Sequence, residues 1–192
     1  MSAGAQTGRG FFANVGDTRR RGVELNATGE LFAGGVSWYV NYTCLQAQFL
    51  EAFRVPSPHN PAAVDGEIPV SKGSAIPGAP QHLLGAGVSA ALTRDLTASI
   101  ALKHQSAQFL RGDEGNLTAP LAGYVTLSAD AQHKLRSGMT VFVQIDNLFA
   151  ADYARFGLYG DASEVLGPAY DDPRFISPAA PRSTWIGFRW SL

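Results

Sequence analysis

Charged residues are scarce in this chain. Asp, Glu, Lys and Arg make up 16% of its 192 residues, and the formal net charge at pH 7 is -1. An average soluble domain has roughly 25% charged residues, so the composition argues against a highly solvated surface. With 45% hydrophobic residues it also argues against disorder. The near-neutral balance gives no electrostatic reason to expect nucleic acid as a partner.

Cysteine and long apolar runs are lacking as well. Cys44 is the only cysteine, which excludes an internal disulfide and a multi-cysteine zinc site. No run approaches the ~18 apolar residues of a transmembrane helix, and the first residues contain no signal-peptide core. A P-loop, a nucleophile elbow and a paired-carboxylate motif are also missing. We therefore expect no enzyme and no cofactor.

What the chain has in abundance is a period of two. Apolar residues recur at every second position over seven stretches, a pattern typical of β-strands. The stretches cover residues 23–31, 36–44, 84–92, 96–103, 125–132, 139–146 and 183–192. The sequence therefore predicts an all-β fold.

The connections between these stretches alternate in length. Tight turns lie near residues 34–35, 94–95 and 137–138, whereas long loops cover about 50–81, 110–122 and 150–181. Short periplasmic turns and long extracellular loops distinguish outer-membrane barrels. The fold prediction is an antiparallel transmembrane β-barrel segment of about seven or eight strands. A soluble all-β binding module also alternates and stays an alternative.

The polar positions of the strands are expected to face the lumen of such a barrel. They include Tyr39, Asn41, Thr43, Lys103, Gln105, Asp130, Gln144 and Arg189. Aromatic residues near the strand ends suggest two interfacial girdles. The girdle residues are Phe32, Trp38 and Phe142 at the tight turns, and Phe49, Phe109, Tyr124, Phe149, Tyr153 and Trp185 at the long loops.

Strand parity suggests that the barrel is incomplete. With seven strands and the last ending on the periplasmic side, the first begins near residue 18 on the extracellular side. Single-chain bacterial barrels have an even number of strands, and residues 11–15 are too few for another. We expect residues 18–192 to be the C-terminal part of a larger barrel and residues 1–17 an incomplete or poorly ordered lead-in. A small self-contained barrel of eight strands is the alternative in which residues 1–17 span the membrane.

Four segments resemble motifs of TonB-dependent outer-membrane receptors. FFANVGDTRRRGVELNA resembles a strand of that family, IPGAPQHLLGAGVSAAL its entry to another, VFVQIDNLFAADYARFG its "N-L-F-D-x-x-Y" segment and PRSTWIGFRWSL its closing strand. Position 151 is Ala where the family usually has Asp or Asn, and the last residue is Leu192 rather than an aromatic. The matching positions are Asn14, Gly16, Arg19, Arg21, Gly22, Glu24, Pro77, Gly78, Pro80, His82, Asn147, Leu148, Phe149, Tyr153, Pro181, Arg182 and Gly187.

The resemblance implies a function in uptake. Receptors of this family import ferric siderophores, cobalamin and related cargo across the outer membrane of Gram-negative bacteria. TonB and the plug domain are implied only for a full-length relative, so we do not expect this chain to transport alone. Outer-membrane lipid and lipopolysaccharide are the other expected partners, and the resemblance assigns no cargo-binding residue.

Three groups of polar residues are candidates for contacts with ligands. Arg19, Arg20 and Arg21 suit lipopolysaccharide phosphates, an anionic siderophore or simply a charged rim. Asp171 and Asp172 precede Pro173, which favours a solvated turn over a cationic ligand. The four histidines, His59, His82, His104 and His133, lack a spacing suited to metal binding.

Overall fold

The main feature of the fold is one antiparallel sheet of seven strands. The computed structural model describes residues 16–135, 138–161, 163, 167, 169 and 171–190. The strands are β1 (Thr18–Leu31), β2 (Val36–Phe49), β3 (Phe53–Pro56), β4 (Glu67–Val70), β5 (His82–Ala91), β6 (Leu96–Gln105), β7 (Tyr124–Lys134), β8 (Met139–Asp146), β9 (Ala154–Tyr159), β10 (Arg174–Pro178) and β11 (Ser183–Trp190). The sheet order is β1-β2-β5-β6-β7-β8-β11, which confirms the seven predicted strands.

Each long loop joins strands of the sheet at the same end. We call them L1 (residues 50–81), L2 (106–123) and L3 (147–182). L1 contains the hairpin β3–β4 and L3 the hairpin β9–β10. The long loops therefore carry structure of their own, which the period-two pattern of the main strands did not reveal.

The cross-strand register gives the sheet two chemically different faces. Directly paired residues lie on the same face of a sheet. Leu25 pairs with Tyr42, Tyr42 with Leu84 and Leu84 with His104, which traces the apolar face. Asn26 pairs with Asn41, and the trace continues to Gly85 and Lys103 on the polar face. The eight residues expected to line a lumen all lie on the polar face.

The apolar face is exposed. Val23 is 67%, Ile186 77% and Phe188 72% accessible, although all three alternate with polar neighbours as core residues would. An apolar area of this extent marks a surface that another apolar phase covers. Within the described part of the chain, no helix is long and apolar enough to cross a membrane.

The two edges of the sheet, β1 and β11, run in the same direction. Six antiparallel steps separate them, so a direct pairing between them would be parallel. Bacterial single-chain barrels are built from antiparallel pairs. The seven strands of this sheet therefore cannot close among themselves into an all-antiparallel barrel.

Large rings cover glycines at three cross-strand pairs. Trp38 lies over Gly29, Tyr39 over Gly87, and the Phe142 ring over Gly187. A Cβ added at any of the three glycines would lie within 2.7 Å of the ring. Such pairs pin the register of neighbouring strands.

The predicted aromatic girdles are partly wrong. Phe49, Tyr124, Phe142 and Trp185 lie on the polar face, because each pairs directly with a residue of that face. Proximity to a strand end does not determine which face a side chain takes; parity does.

The turn between β1 and β2 holds two residues other than glycine, Phe32 and Ala33, at a positive φ. Gly35 N donates to Phe32 O over 3.1 Å, and the central residues Ala33 and Gly34 have φ of 53° and 86°. Two positive φ values are the signature of a type I′ turn, for which Asn-Gly is the preferred sequence. Ala33 therefore holds a left-handed conformation without the tolerance that Asn has for it.

Replacing Ala33 with Asn is expected to stabilise the chain. The native φ is already suited to Asn, so the gain is about 0.5 to 1 kcal/mol in the free energy of unfolding. Denaturant unfolding in detergent micelles measures it. Ala33→Val is the matched opposite, because a β-branched residue resists positive φ. Equal midpoints for the two variants would contradict the assigned turn.

Candidate functional site

The described parts of L1, L2 and L3 fold together into one layer, which we call the loop cap. L2 is its centre. Gly78 N of L1 donates to Phe109 O over 3.0 Å, and Arg111 N donates to Gly157 O of L3 over 3.2 Å. Tyr159 N returns a bond of 2.9 Å to Arg111 O. Backbone bonds thus join all three loops.

Asp113 is the polar centre of the loop cap. The residue is fully buried and accepts four hydrogen bonds. Its Oδ1 receives Leu117 N at 2.8 Å and Asn60 Nδ2 at 3.3 Å. Its Oδ2 receives Thr118 N at 3.1 Å and Thr118 Oγ1 at 2.7 Å. A buried carboxylate without a cation depends on such donors.

Side chains around Asp113 extend this network to L1 and L3. Ser57 Oγ and Asn60 Nδ2 both donate to Gly112 O, at 2.6 and 2.7 Å. Tyr159 OH donates to Thr118 Oγ1 at 2.9 Å. These contacts join one loop to the next through buried polar atoms, so the loss of one partner leaves others unpaired.

A second set of hydrogen bonds joins L2 to L1 and to L3. The Asn116 amide accepts from Ala75 N at 2.6 Å and donates to Ala75 O at 3.0 Å. Gln108 Nε2 donates to Arg155 O at 2.9 Å. Apolar burial accompanies these bonds: Ile68, Val70 and Leu110 are at most 3% exposed. The loop cap is therefore a small core in its own right.

A cavity of about 250 Å³ lies where the loop cap meets the polar face. Lys103 of β6 and Arg155 of β9 bring two positive charges to it, and Asp146 one negative charge. Tyr124 and Tyr153 are in contact at its wall, with ring centroids 4.2 Å apart and ring planes tilted by 36°. No ion pair of Lys103 or Arg155 occurs among the described residues. Cations beside aromatic rings suit an anionic ligand that carries rings of its own.

Asn147 explains one motif of the resemblance. It follows β8 with φ of 52° and is 5% exposed. Its Nδ2 donates to Ala151 O at 2.8 Å, and its Oδ1 accepts from Ala151 N at 2.9 Å. Asn tolerates the left-handed region and can bond its own turn. The next residue, Leu148, donates its N–H to Leu127 O and so ties the turn to β7.

The motif glycines occupy positions that a side chain would disturb. Gly16 and Gly78 have φ of 67° and 72°, and a Cβ on Gly22 would lie 2.2 Å from Cys44 O. The Phe142 ring packs directly over Gly187. Asn14 lies outside the described residues, as does Leu192.

The remaining motif residues are dispersed. Arg21 Nε donates to Gln46 Oε1 at 2.7 Å, whereas the side chains of Arg19 and Glu24 make no hydrogen bond among the described residues. Tyr153 and Pro181 reach the cavity wall, and Phe149 is 77% exposed. Pro77 and Pro80 flank Gly78 at the end of L1, and Arg182 is exposed before β11. The motif residues therefore do not form one site.

The histidines are likewise separate. Tyr42 OH and His82 Nδ1 lie 2.8 Å apart on the apolar face, and His104 Nδ1 lies 3.2 Å from Tyr124 O. Over the described residues, no three His, Cys, Asp or Glu side chains are grouped so as to hold a metal ion.

Asp172 takes part in an exposed ion pair. Its Oδ2 lies 2.9 Å from Arg174 Nη2, and its Oδ1 accepts from Arg174 N and Nε. The bonds that Arg174 donates lower the pKa of Asp172 to about 2. The solvated turn that the sequence favoured is what the geometry supports.

The Asp172 carboxyl is expected to titrate near pH 2. A folded pKa below the unfolded value of 3.8 means that the pair stabilises the turn above about pH 4 and loses this effect as the pH falls toward 2. Carboxyl NMR resonances measure the midpoint. Arg174→Gln should raise the midpoint toward 3.8, although the backbone N–H of residue 174 still donates to Asp172, whereas Arg182→Gln should leave the midpoint unchanged. An unchanged midpoint in Arg174→Gln would contradict the pairing.

The chain matches one family of known proteins over most of its length. The family model described as "TonB dependent receptor-like, beta-barrel" matches residues 2–148. The chain belongs to this family. A search of curated protein sequences finds no match. The matched range contains the first two motif segments and, from the third, Asn147 and Leu148.

Solved structures agree on the fold. The siderophore receptor PiuA from Acinetobacter baumannii has 17% identity and a TM-score of 0.68, over 90% of this chain and 22% of that one. The ferric yersiniabactin uptake receptor FyuA from Yersinia pestis has 22% identity and a TM-score of 0.63, over 89% and 23%. The ferric-catecholate import receptor Fiu from K12 E. coli has 17% identity and a TM-score of 0.63, over 89% and 20%. The chain therefore spans about a fifth of the length of these receptors.

Sequence reasoning missed the residues that build the loop cap. Asp113, Asn60 and Tyr159 belong to three different loops, and Asn60 is 53 positions from Asp113. The only local signal is the Gly-Asp and Gly-Asn sequence of residues 112–116, which indicates a turn.

Proposed function

We propose that this chain is the C-terminal barrel part of a TonB-dependent outer-membrane receptor that takes up ferric siderophores or similar metal chelates. In this proposal residues 18–192 are the barrel part and residues 1–17 its lead-in, of which residues 1–15 lie outside the described residues, as do residues 191 and 192. The chain is a receptor portion rather than an enzyme. TonB and the plug would act in the complete receptor, so this portion does not transport alone.

One observation carries the proposal: a two-faced sheet whose polar face ends in a basic, tyrosine-lined cavity that L3 of the loop cap borders. The apolar face suits outer-membrane lipid and the polar face suits an aqueous lumen. On this orientation L1, L2 and L3 are extracellular and the tight turns periplasmic, with lipid and lipopolysaccharide around the wall. Cargo that passes the loops from outside then reaches Lys103, Arg155 and Tyr153 at the cavity.

Binding of a ferric chelate tests this proposal. Trp185 stands on the polar face close to Ser183 of the cavity wall, so a coloured ferric chelate at the cavity should quench its fluorescence. We expect a ferric tris-catecholate, an anion with rings, to quench more than ferric citrate. The Lys103→Gln, Arg155→Gln double variant should weaken quenching roughly tenfold.

The matched control removes two positive charges elsewhere. Lys72 and Arg94 are exposed and lie outside the cavity, so their double replacement by Gln should leave quenching unchanged. Equal weakening by both double variants, or no quenching at all, would refute the cavity as the place of capture.

A further inference from the structure

The apolar face has a basic edge at its loop end. Arg19 and Arg21 lie on this face at the start of β1, followed by Val23 and Leu25. Both arginines are exposed. Arg21 uses Nε for its bond to Gln46, and its Nη groups bond no described residue. Two guanidinium groups thus border a wall of exposed apolar side chains.

Acidic residues are segregated from this face. The carboxylates of the seven main strands all lie on the polar face, as their partners show. They are Glu24, Glu30, Asp130 and Asp146. No described strand residue of the apolar face is acidic. The strands therefore bring no carboxylate to the basic edge. Asp17, just before β1, is the nearest carboxylate in sequence, and the two guanidinium charges outweigh it, so the edge is complementary to an anion.

The height of the edge fits a lipid headgroup. Val23 to Leu31 covers eight residue steps along β1, which for a tilted strand amounts to roughly 20 Å of membrane depth. This nearly fills the ~25 Å apolar band of a barrel wall. Arg21 then lies at the upper limit of the band and Arg19 above it. Tyr42 of β2 pairs with Leu25, and His82 of β5 pairs with Cys44 beside Val23, so both lie level with the band below the arginines.

We propose that Arg19 and Arg21 bind the phosphate of a phosphorylated glycolipid in the outer leaflet. The proposal rests on the membrane orientation given under Proposed function. Guanidinium groups bind phosphate with two parallel hydrogen bonds, and the acyl chains of the same lipid would lie against Val23 and Leu25 below. The shared chemistry is phosphate; the apolar wall selects a lipid over free phosphate.

Native mass spectrometry of the chain in detergent micelles tests the site. The probes are a bis-phosphorylated lipid A, the same lipid without phosphates, and inorganic phosphate. We expect the phosphorylated lipid to remain bound at least about fivefold more than its dephosphorylated form. Inorganic phosphate at equal concentration should not displace it. This comparison uses the unaltered chain and needs no variant to fold.

The variants exploit the alternation of β1. Arg20 lies between the two arginines that are proposed to bind phosphate, but it is on the polar face, where its Nη1 donates to Thr18 Oγ1. Arg19→Gln with Arg21→Gln should lower lipid A binding roughly tenfold or more. Arg20→Gln with Arg189→Gln removes the same charge from the polar face and should leave binding unchanged.

Three results would overturn the site: equal retention of the two lipids, displacement by inorganic phosphate, or equal loss in both double variants. These results are independent of cargo capture, which is measured by Trp185 quenching with the ferric chelates. A chain that binds lipid A but no chelate would keep this site and lose the proposed uptake; the reverse outcome would lose only this site.

Discussion

Replacing Asp113 with alanine is expected to open the loop cap while the seven-stranded sheet persists. The change removes the acceptor of four hydrogen bonds and leaves Leu117 N, Thr118 N and Thr118 Oγ1 without their partner in a buried place, whereas Asn60 keeps its bond to Gly112 O. Each unpaired buried donor costs about 1 to 3 kcal/mol. We therefore expect local opening of L2 to become easier by about 3 kcal/mol or more.

Hydrogen exchange measures this local opening directly, because loops can open below the global free energy. Exchange at Leu117 and Thr118 should accelerate by roughly a hundredfold, while β6 and β7 keep their protection. The exchange rates in Asp113→Asn, which keeps one carbonyl oxygen, should lie between those of the unaltered chain and those of Asp113→Ala. Asp152→Ala is the control, since Asp152 is exposed in L3. Similar rates in the Asp113 and Asp152 variants would show that the network does not hold the cap.

Replacing Gly22 with alanine is expected to destabilise the β1–β2 pair. The added Cβ would lie 2.2 Å from the Cys44 carbonyl oxygen, a backbone atom that no rotamer change can move. The strands must shift apart locally, at a cost of about 1 to 3 kcal/mol. Denaturant unfolding of the chain in detergent micelles gives the free energy.

Gly85→Ala is the matched control for this variant. Gly85 lies within β5, and a Cβ there would meet nothing within 4 Å. Removing a strand glycine without a clash should be neutral or stabilise the chain by about 0.5 to 1 kcal/mol. Equal destabilisation by the two variants would mean that glycine is needed in these strands for a reason other than contact with Cys44.

The strands were predictable because their determinant is local. An apolar side chain at every second position is a property of each strand alone. The face on which Val23, Leu25 and Ile186 lie can therefore be predicted without knowing which strand pairs with theirs. Loop length also follows from the chain itself. The fold class and the polar-face residues such as Lys103 and Asp130 could therefore be obtained from the sequence.

The loop cap was not predictable because its determinants are distant. Nothing near Asp113 indicates that a residue 53 positions earlier donates to it, and an aspartate in a Gly-rich turn is usually solvated. The cavity likewise combines Lys103 and Tyr124 of the sheet with Arg155 of L3. Asn147 is an intermediate case. Its motif was recognisable in the sequence, but its left-handed φ and its hydrogen bonds to Ala151 are evident only in the structure.

The most direct test of the account is a nitroxide scan of β6 in the chain folded into lipid vesicles. Spin labels are placed one at a time at positions 96 to 105, with Cys44 replaced by Ser. We predict that even positions are accessible to oxygen dissolved in lipid and odd positions to a water-soluble nickel chelate. Water access on both faces, or no period of two, would contradict a membrane-spanning receptor wall and favour a soluble all-β module.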